Sequence, residues 1–282
     1  LRRSDAVAAQ TWRRFRRSKL AIAALIYVVL VTLIAAAAPW IAPSNPNEVD
    51  LAHRLEPPSV HHWFGADELG RDVVSRMIHG ARVSLTVGFA ATIVSVCIGS
   101  FLGALAGYHG GAVDWWISRL IEIVLCFPFI FIVLAIVALF GPSITTMVIA
   151  LGCTSWTTEA RYMRAEMLRV REMDFALAAR ASGARDSRVI ARHLLPNAIA
   201  PVLVSASFNV AWAIVTESAL SFLGVGVPLP TATWGSILAN AEQFLDYAWW
   251  LVVFPGAAIF ITVAAFNVIG DRVRDALDPR SD

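Results

Sequence analysis

The chain has little charge and almost no lysine. Of its 282 residues 16% are Asp, Glu, Lys or Arg, while 57% are hydrophobic and the mean hydropathy is +0.64. Soluble domains devote about a quarter of their residues to charge, so a soluble globular enzyme is excluded. Lys19 is the one lysine, set in Arg16-Arg17-Ser18-Lys19-Leu20-Ala21 with no glycine before it. A phosphate-binding loop needs a lysine directly after its glycines, so this chain has no P-loop of its own. A Gly-x-Ser-x-Gly nucleophile turn and a His-Glu-x-x-His zinc helix are both missing as well. Cys97, Cys126 and Cys153 fall in three different apolar stretches, where lone cysteines act as small apolar residues rather than disulfide partners. His61 and His62 are neighbours whose side chains do not converge, and with His79 and His109 they read as interfacial residues. No catalytic residue, metal site or cofactor is expected in the chain, and a net charge of +2 gives no reason to expect nucleic acid.

What the chain does have is long apolar runs. A hydrocarbon core about 30 Å thick needs about 20 apolar residues per helical crossing. Six stretches qualify: Leu20 to Ile41, Ser84 to Tyr108, Trp115 to Phe140, Ile144 to Ala160, Ala198 to Val225 and Ala248 to Ile269. The expected fold is an all-α polytopic membrane protein of six transmembrane helices. Its expected parts are an N-terminal segment 1–19, a first helix with its external loop 20–83, a permease core 84–269 and a tail 270–282. The basic start and the apolar run after it read as an uncleaved anchor, because the run exceeds the 7 to 15 residues of a signal core. With Leu rather than Met at position 1, a trimmed start is expected.

Arginine fixes the expected orientation. Arg2, Arg3, Arg13, Arg14, Arg16, Arg17 and Lys19 precede the first stretch, and Arg272, Arg274 and Arg280 lie in the tail. Arg161, Arg164, Arg169, Arg171, Arg180, Arg185, Arg188 and Arg192 crowd the loop 161–196, whereas Gly226 to Tyr247 carries no Lys or Arg. Basic loops stay on the cytoplasmic side, so both termini and the loop 161–196 are expected inside.

Two loops have a definite pattern. In the external loop, HWFGADELGRDVVSRMIHGARVSL runs from His62 to Leu85. Gly65 and Gly70 permit tight turns around Asp67, with Arg71 and Asp72 placed to pair locally or hold main-chain groups. From Arg71 on, an amphipathic helix is expected, resting Val73, Val74, Met77 and Ile78 on the bilayer interface or the bundle. In the loop 161–196, a short Ala-rich helix from Asp174 carries Phe175, Leu177, Ala178, Ala179 and Ser182, and ends at Gly183. Alanine combines helix propensity with little bulk, so Ala176, Ala178, Ala179 and Ala181 suit close approach to another protein. Asp186 or Ser187 is expected to cap the next helix, and Leu195 and Pro196 open the following span.

These loops carry a resemblance. The second resembles the signature of ABC importer membrane subunits: Glu-Ala-Ala, three residues, Gly, nine residues, Ile, any residue, Leu-Pro. Ala178, Ala179, Gly183, Leu195 and Pro196 fall on it, while Leu177 stands at the Glu position and His193 at the Ile position. The external block is similar to HxxGTDxxGRDxxSRxxxGARxSL of the dipeptide, oligopeptide and nickel permeases, with Ala66 in place of Thr. Ala219 to Leu238 and Gly270 to Arg280 also resemble that group, and its dipeptide C-type subunits most. The resemblance implies a type I importer fold with a coupling helix between the fourth and fifth spans, in a bacterial inner membrane. It also implies a homologous second permease subunit, two ATP-binding subunits that hold ATP and Mg, and an extracytoplasmic substrate-binding protein. Peptides are the implied cargo, with nickel chelates or haem as alternatives; a carrier working without ATP is the competing class.

Polar groups inside the spans are the remaining candidates, because charge at the bilayer centre is costly. Asn209, Thr216, Glu217 and Ser221, together with Ser205, make the fifth span polar and are candidates for lining a pathway or meeting a second permease subunit. Arg119 and Glu122 are expected to pair. Glu159 is expected in the cytoplasmic interface beside Arg161 and Arg164. Gly88, Ser95, Gly99, Ser100, Gly103 and Gly107 give the second span a small-residue face suited to helix packing.

Overall fold

Each expected apolar stretch becomes helix. The computed structural model describes residues 15, 16 and 18–277, so much of the basic N-terminal cluster and Arg280 lie outside the described residues. The longer helices are α1 (Lys19–Ala36), α2 (Val73–His109), α3 (Gly111–Cys126), α4 (Phe129–Phe140), α5 (Ile144–Val170), α6 (Asp174–Ala181), α7 (Ala200–Phe222), α8 (Trp234–Ala241) and α9 (Trp250–Leu277). No strand forms among the described residues. Of these helices α1, α2, α7 and α9 are long and apolar enough to cross a membrane, and α3 with α4 adds a fifth crossing if the pair is one span. Helix α5 is the polar exception, with Thr154, Thr157, Thr158 and Glu159 in its middle and arginines in its last turns.

Four expectations are corrected. The interfacial helix and the second span are one helix: α2 begins at Val73, where the Asp72 carboxylate accepts from the Ser75 N–H at 2.8 Å. No residue between Val73 and Ser84 breaks it, and Val73, Val74 and Met77 are buried in the bundle rather than laid on lipid. At 37 residues it is about 55 Å long, well beyond one bilayer core. The third stretch is not straight, because α3 and α4 meet at 84°. Phe127, forced extended by the proline after it, has φ −96° and ψ 132° and ends α3. Helices α5 and α9 run past their expected ends at Ala160 and Ile269, to Val170 and Leu277. Finally, the stretch from Gly226 to Tyr247 contains α8, opened by a reciprocal Thr233–Ser236 capping box. Trp234 plugs α8 into the bundle, its indole donating to the Met77 carbonyl at 3.2 Å.

The three cysteines are free, but exposed on the outside of the bundle rather than buried in it. Arg119 and Glu122 do pair, at 2.5 Å.

The most extensive helix contact joins α2 to α5. Gly99, Gly103 and Gly107, one per turn, let the two backbones touch. A Cβ on Gly99 would lie 2.5 Å from the Glu159 Cβ, and one on Gly107 2.6 Å from the Met167 Cβ. On its other side α2 meets α7 at Gly88, where a Cβ would come within 2.8 Å of Ile214. Polar pairs tie the same helices. Glu217, fully buried, accepts from Ser84 at 3.0 Å and from Ser221 at 2.7 Å, and Asn209 donates to Ser95 at 3.0 Å. Helix α1 closes the bundle against α9, with Tyr27 and Thr262 hydroxyls 3.0 Å apart.

Two stability measurements follow from this packing. Gly103→Ala, whose methyl would overlap the Ala160 carbonyl, is expected to cost about 1–3 kcal/mol by overpacking. Gly256→Ala in α9, where nothing lies within 4 Å, is expected to be neutral or to gain up to about 1 kcal/mol from helix propensity. Equal melting temperatures for the two in detergent would contradict the close contact. Glu217→Ala strands the two serine hydroxyls and is expected to cost about 1–3 kcal/mol for each, while Glu217→Gln keeps a carbonyl acceptor and loses much less. If the Gln variant unfolds as readily as the Ala variant, the serine bridges are not what stabilises this point.

Candidate functional site

The knob between α5 and α7 is built by its stop signals. Helix α6 ends where Gly183 takes φ +77°, with the Ala184 N–H bonded to the Ala179 carbonyl at 3.2 Å and the Gly183 N–H to the Arg180 carbonyl at 2.9 Å. That is the paired Schellman closure, which a residue with a Cβ enters only at a cost. The chain then passes through Asp186–Arg188, a π turn Val189–Leu194 and the single turn Leu195–Ala198 before α7. Pro196, which has no N–H to donate, opens that last turn. Asp186 does not act as a side-chain cap; its carboxylate accepts from the Tyr108 hydroxyl at 2.5 Å.

The alanines of α6 divide between two faces. Ala176 is fully buried and Ala179 partly so, both packed with Val189, Leu194 and Ala198 against the ends of α2 and α5. The outward face presents Phe175 and Leu177, 40% and 46% exposed, beside exposed Ala178, Ala181 and Ser182. Small residues therefore seat the helix on its own bundle, and larger apolar ones are offered outward. Leu195 is half-buried in the same cluster and Pro196 exposed.

Tyr108, together with Arg171 and Arg180, which the sequence marked only by their charge, fixes the knob to the bundle. Arg171 donates to the Gly107 and Tyr108 carbonyls at 2.8 and 3.3 Å, satisfying the open end of α2. Arg180 lies over the Tyr108 ring at 4.8 Å, and the Tyr108 hydroxyl donates to Asp186. Tyr108 thus joins the end of α2 to both limbs of the knob. A tyrosine beside the paired Gly110 and Gly111 was the available signal. Arg164 pairs with Asp114 of α3, its Nη2 2.6 Å from Oδ2.

Glu159 lies elsewhere than expected. It is buried in the middle of α5, away from Arg161 and Arg164 as partners, and accepts from Ser205 of α7 at 2.9 Å. Its second carboxylate oxygen finds no partner among the described residues. It stands in the wall of a recess of about 350 Å³ lined also by Thr154, Thr158, Ser205, Asn209 and Trp212. A second recess of about 730 Å³, reaching Glu166, Arg169, Asn197 and Arg274, shares Thr158, Ser205 and Phe208 with the first. Of the four polar residues singled out on the fifth span, Asn209 faces this recess, while Thr216, Glu217 and Ser221 are buried where α7 meets α2 and α8.

In the loop before α2, Asp67, Gly70, Arg71 and Asp72 form one buried knot. Gly65 and Gly70 take φ +77° and +74°, and a Cβ on Gly70 would overlap the Asp50 carbonyl. Asp67 accepts from the Leu69 and Arg71 N–H groups, each at 2.9 Å, and pairs with the Arg71 guanidinium at 2.7 Å. Arg76, 1% exposed, stands 3.2 Å from the same carboxylate. Arg71 also reaches Glu68 at 2.6 Å; burial pushes the Glu68 carboxyl above its ordinary range, and the neighbouring Asp67 carboxylate adds to the rise. The Trp250 indole donates to the Ala66 carbonyl at 3.1 Å, tying the knot to α9.

Comparison with known proteins agrees with this architecture. Residues 99–282 match the family described as binding-protein-dependent transport system inner membrane component, and residues 8–58 match the N-terminal TM domain of oligopeptide transport permease C. The dipeptide transport system permease protein DppC of Alkalihalophilus pseudofirmus is 41% identical over 96% of this chain and 89% of its own length. The oligopeptide transport system permease protein OppC of Bacillus subtilis is 38% identical over 95% and 88%. The fold is also that of a chain of the inward-facing MetNI methionine ABC transporter, at a TM-score of 0.57 and 20% identity over 71% of this chain and 95% of that one. With its helical bundle and inter-span knob, the chain belongs to the family of binding-protein-dependent transport system inner membrane components, as an integral membrane permease subunit.

Proposed function

We propose that the chain is one of two homologous permease subunits of an ATP-driven peptide importer. Two ATP-binding subunits, which supply ATP and Mg, dock on α6, and an extracytoplasmic binding protein delivers cargo to the opposite face. Peptide cargo is supported by relatives named for dipeptide and oligopeptide transport whose lengths the chain nearly spans. Docking is supported by Phe175 and Leu177, exposed apolar side chains on a helix otherwise seated by alanines. The eight arginines of the loop 161–196 support a cytoplasmic position for that side and for both termini. The missing P-loop lysine leaves hydrolysis to the partners.

The contacts suggest how force travels. When the ATP-binding subunits close, α6 moves with them. Arg171, Arg180 and Asp186 carry the displacement to Tyr108 and so to α2, while the chain on either side carries it to α5 and α7. Because α2 and α5 are locked by glycine contacts, they move as one body. The recess at Glu159, Ser205 and Asn209 then opens to one side or the other, a two-state equilibrium biased by a remote ligand. The buried Glu159 oxygen without a partner would become an acceptor for a peptide N–H once the recess wall opens.

Two variants separate docking from passage. Leu177→Lys keeps a good helix former at an exposed position, so the chain is expected to melt as the wild type does. It is expected to lose copurifying ATP-binding subunits and with them uptake by proteoliposomes; retention of both would overturn the docking role. Thr158→Trp places an indole where the two recesses share lining residues and is expected to stop uptake while the ATP-binding subunits stay attached. Unchanged peptide uptake by that variant would remove the recess from the pathway.

A further inference from the structure

We propose that His53, Glu56 and His62 bind one divalent transition-metal ion of the zinc class, in the loop between α1 and α2. A ligand-capable atom of each lies within 4.8 Å of the others. The donor set is two imidazoles and a carboxylate, which suits zinc with a water in the fourth position. Each ring has a carboxylate beside its Nδ1. His53 Nδ1 is 2.7 Å from Asp50 Oδ2, and His62 Nδ1 is 3.2 Å from Asp72 Oδ1. A carboxylate on Nδ1 fixes the proton there and leaves the Nε2 lone pair for an ion, the arrangement that second-sphere carboxylates impose on metal-bound histidines. His53 Nε2 stands 4.0 Å from Glu56 Oε2, and the ring centroids of the two histidines are 5.6 Å apart.

The backbone brings distant positions together. A turn returns the Glu56 N–H to the His53 carbonyl at 3.1 Å, through Leu55 at φ +54°. Ser59 and His62 then close on each other, N–H to carbonyl at 2.8 Å and N–H to hydroxyl at 3.1 Å, folding His62 back over the turn. Tetrahedral bonds of about 2.1 Å set ligand atoms roughly 3.4 Å apart, so the side chains must close by a further ångström or so. The His53 side chain, half exposed at 50%, is free to do that. His62 rests on Asp72, which caps α2, so a bound ion would fasten this part of the loop to the start of that helix.

The test uses the full-length chain without a polyhistidine tag, purified in detergent, stripped with a chelator and titrated with Zn²⁺ against a chromophoric competitor. One ion per chain is expected. His53→Ala, at an exposed position, and Glu56→Gln are expected to abolish it, while His61→Ala, beside the cluster but outside it, leaves it unchanged. Asp50→Asn is expected to weaken binding about tenfold or more. Co²⁺ in place of Zn²⁺ is expected to give the visible bands of a tetrahedral nitrogen and oxygen site. No ion on the wild type, or equal binding by wild type and His53→Ala, overturns the assignment.

Discussion

Helices α2 and α5 touch backbone to backbone, and the rest of the molecule is arranged around that contact. Without a driving force between apolar surfaces in lipid, helices associate through close packing and polar pairs. Gly99, Gly103 and Gly107 remove the side chains that would hold α5 away. The same approach brings Arg171, just past α5, within reach of the last carbonyls of α2, and it places Tyr108 over the knob. The small-residue face is therefore also what gives the knob a rigid base.

The polar groups of the bundle sort by whether they find partners. Glu217 has Ser84 and Ser221, and Asn209 has Ser95; each pair ties α7 to its neighbours or to itself. Polar interactions of this kind contribute modestly, because the alternatives in a membrane also find partners. An unpaired oxygen is more informative, since it costs more than a bond returns. Glu159 leaves such an oxygen at a recess wall, which is why the proposed pathway runs past Glu159 rather than past Glu217.

The apolar helices and both patterned loops were legible in the sequence because they depend on local rules: length of apolar run, glycine at a turn. Asp67, Arg71 and Asp72 pair within a few residues of one another, so spacing alone indicated their roles. What the sequence hid was set by long-range contact. That Ala176 and Ala179 face inward depends on Val189 and Leu194 folding back over them. Glu159 is not beside Arg161 and Arg164 as partners because α5 continues to Val170 and turns that carboxylate toward Ser205 of α7, a contact set by packing between helices. The bend at Phe127 was visible as Pro128 but was overridden by the apolar run around it. The convergence of His53 and His62, nine positions apart in an irregular loop, has no periodic signature.

The docking role proposed for α6 carries opposing requirements, and its two sides are suited to them. It must hold to its own bundle tightly enough to transmit a push, and present enough apolar surface to grip a partner. An all-alanine helix would meet the first and offer little for the second, since alanine buries little area. Phe175 and Leu177 would supply that area to the proposed partner. Leu177 stands where the importer signature has Glu, so in the proposed complex a charged contact is exchanged for an apolar one. Such a contact is less sensitive to salt than an exposed ion pair, and the exposed Arg185 and Arg188 would favour an acidic rim on the proposed partner.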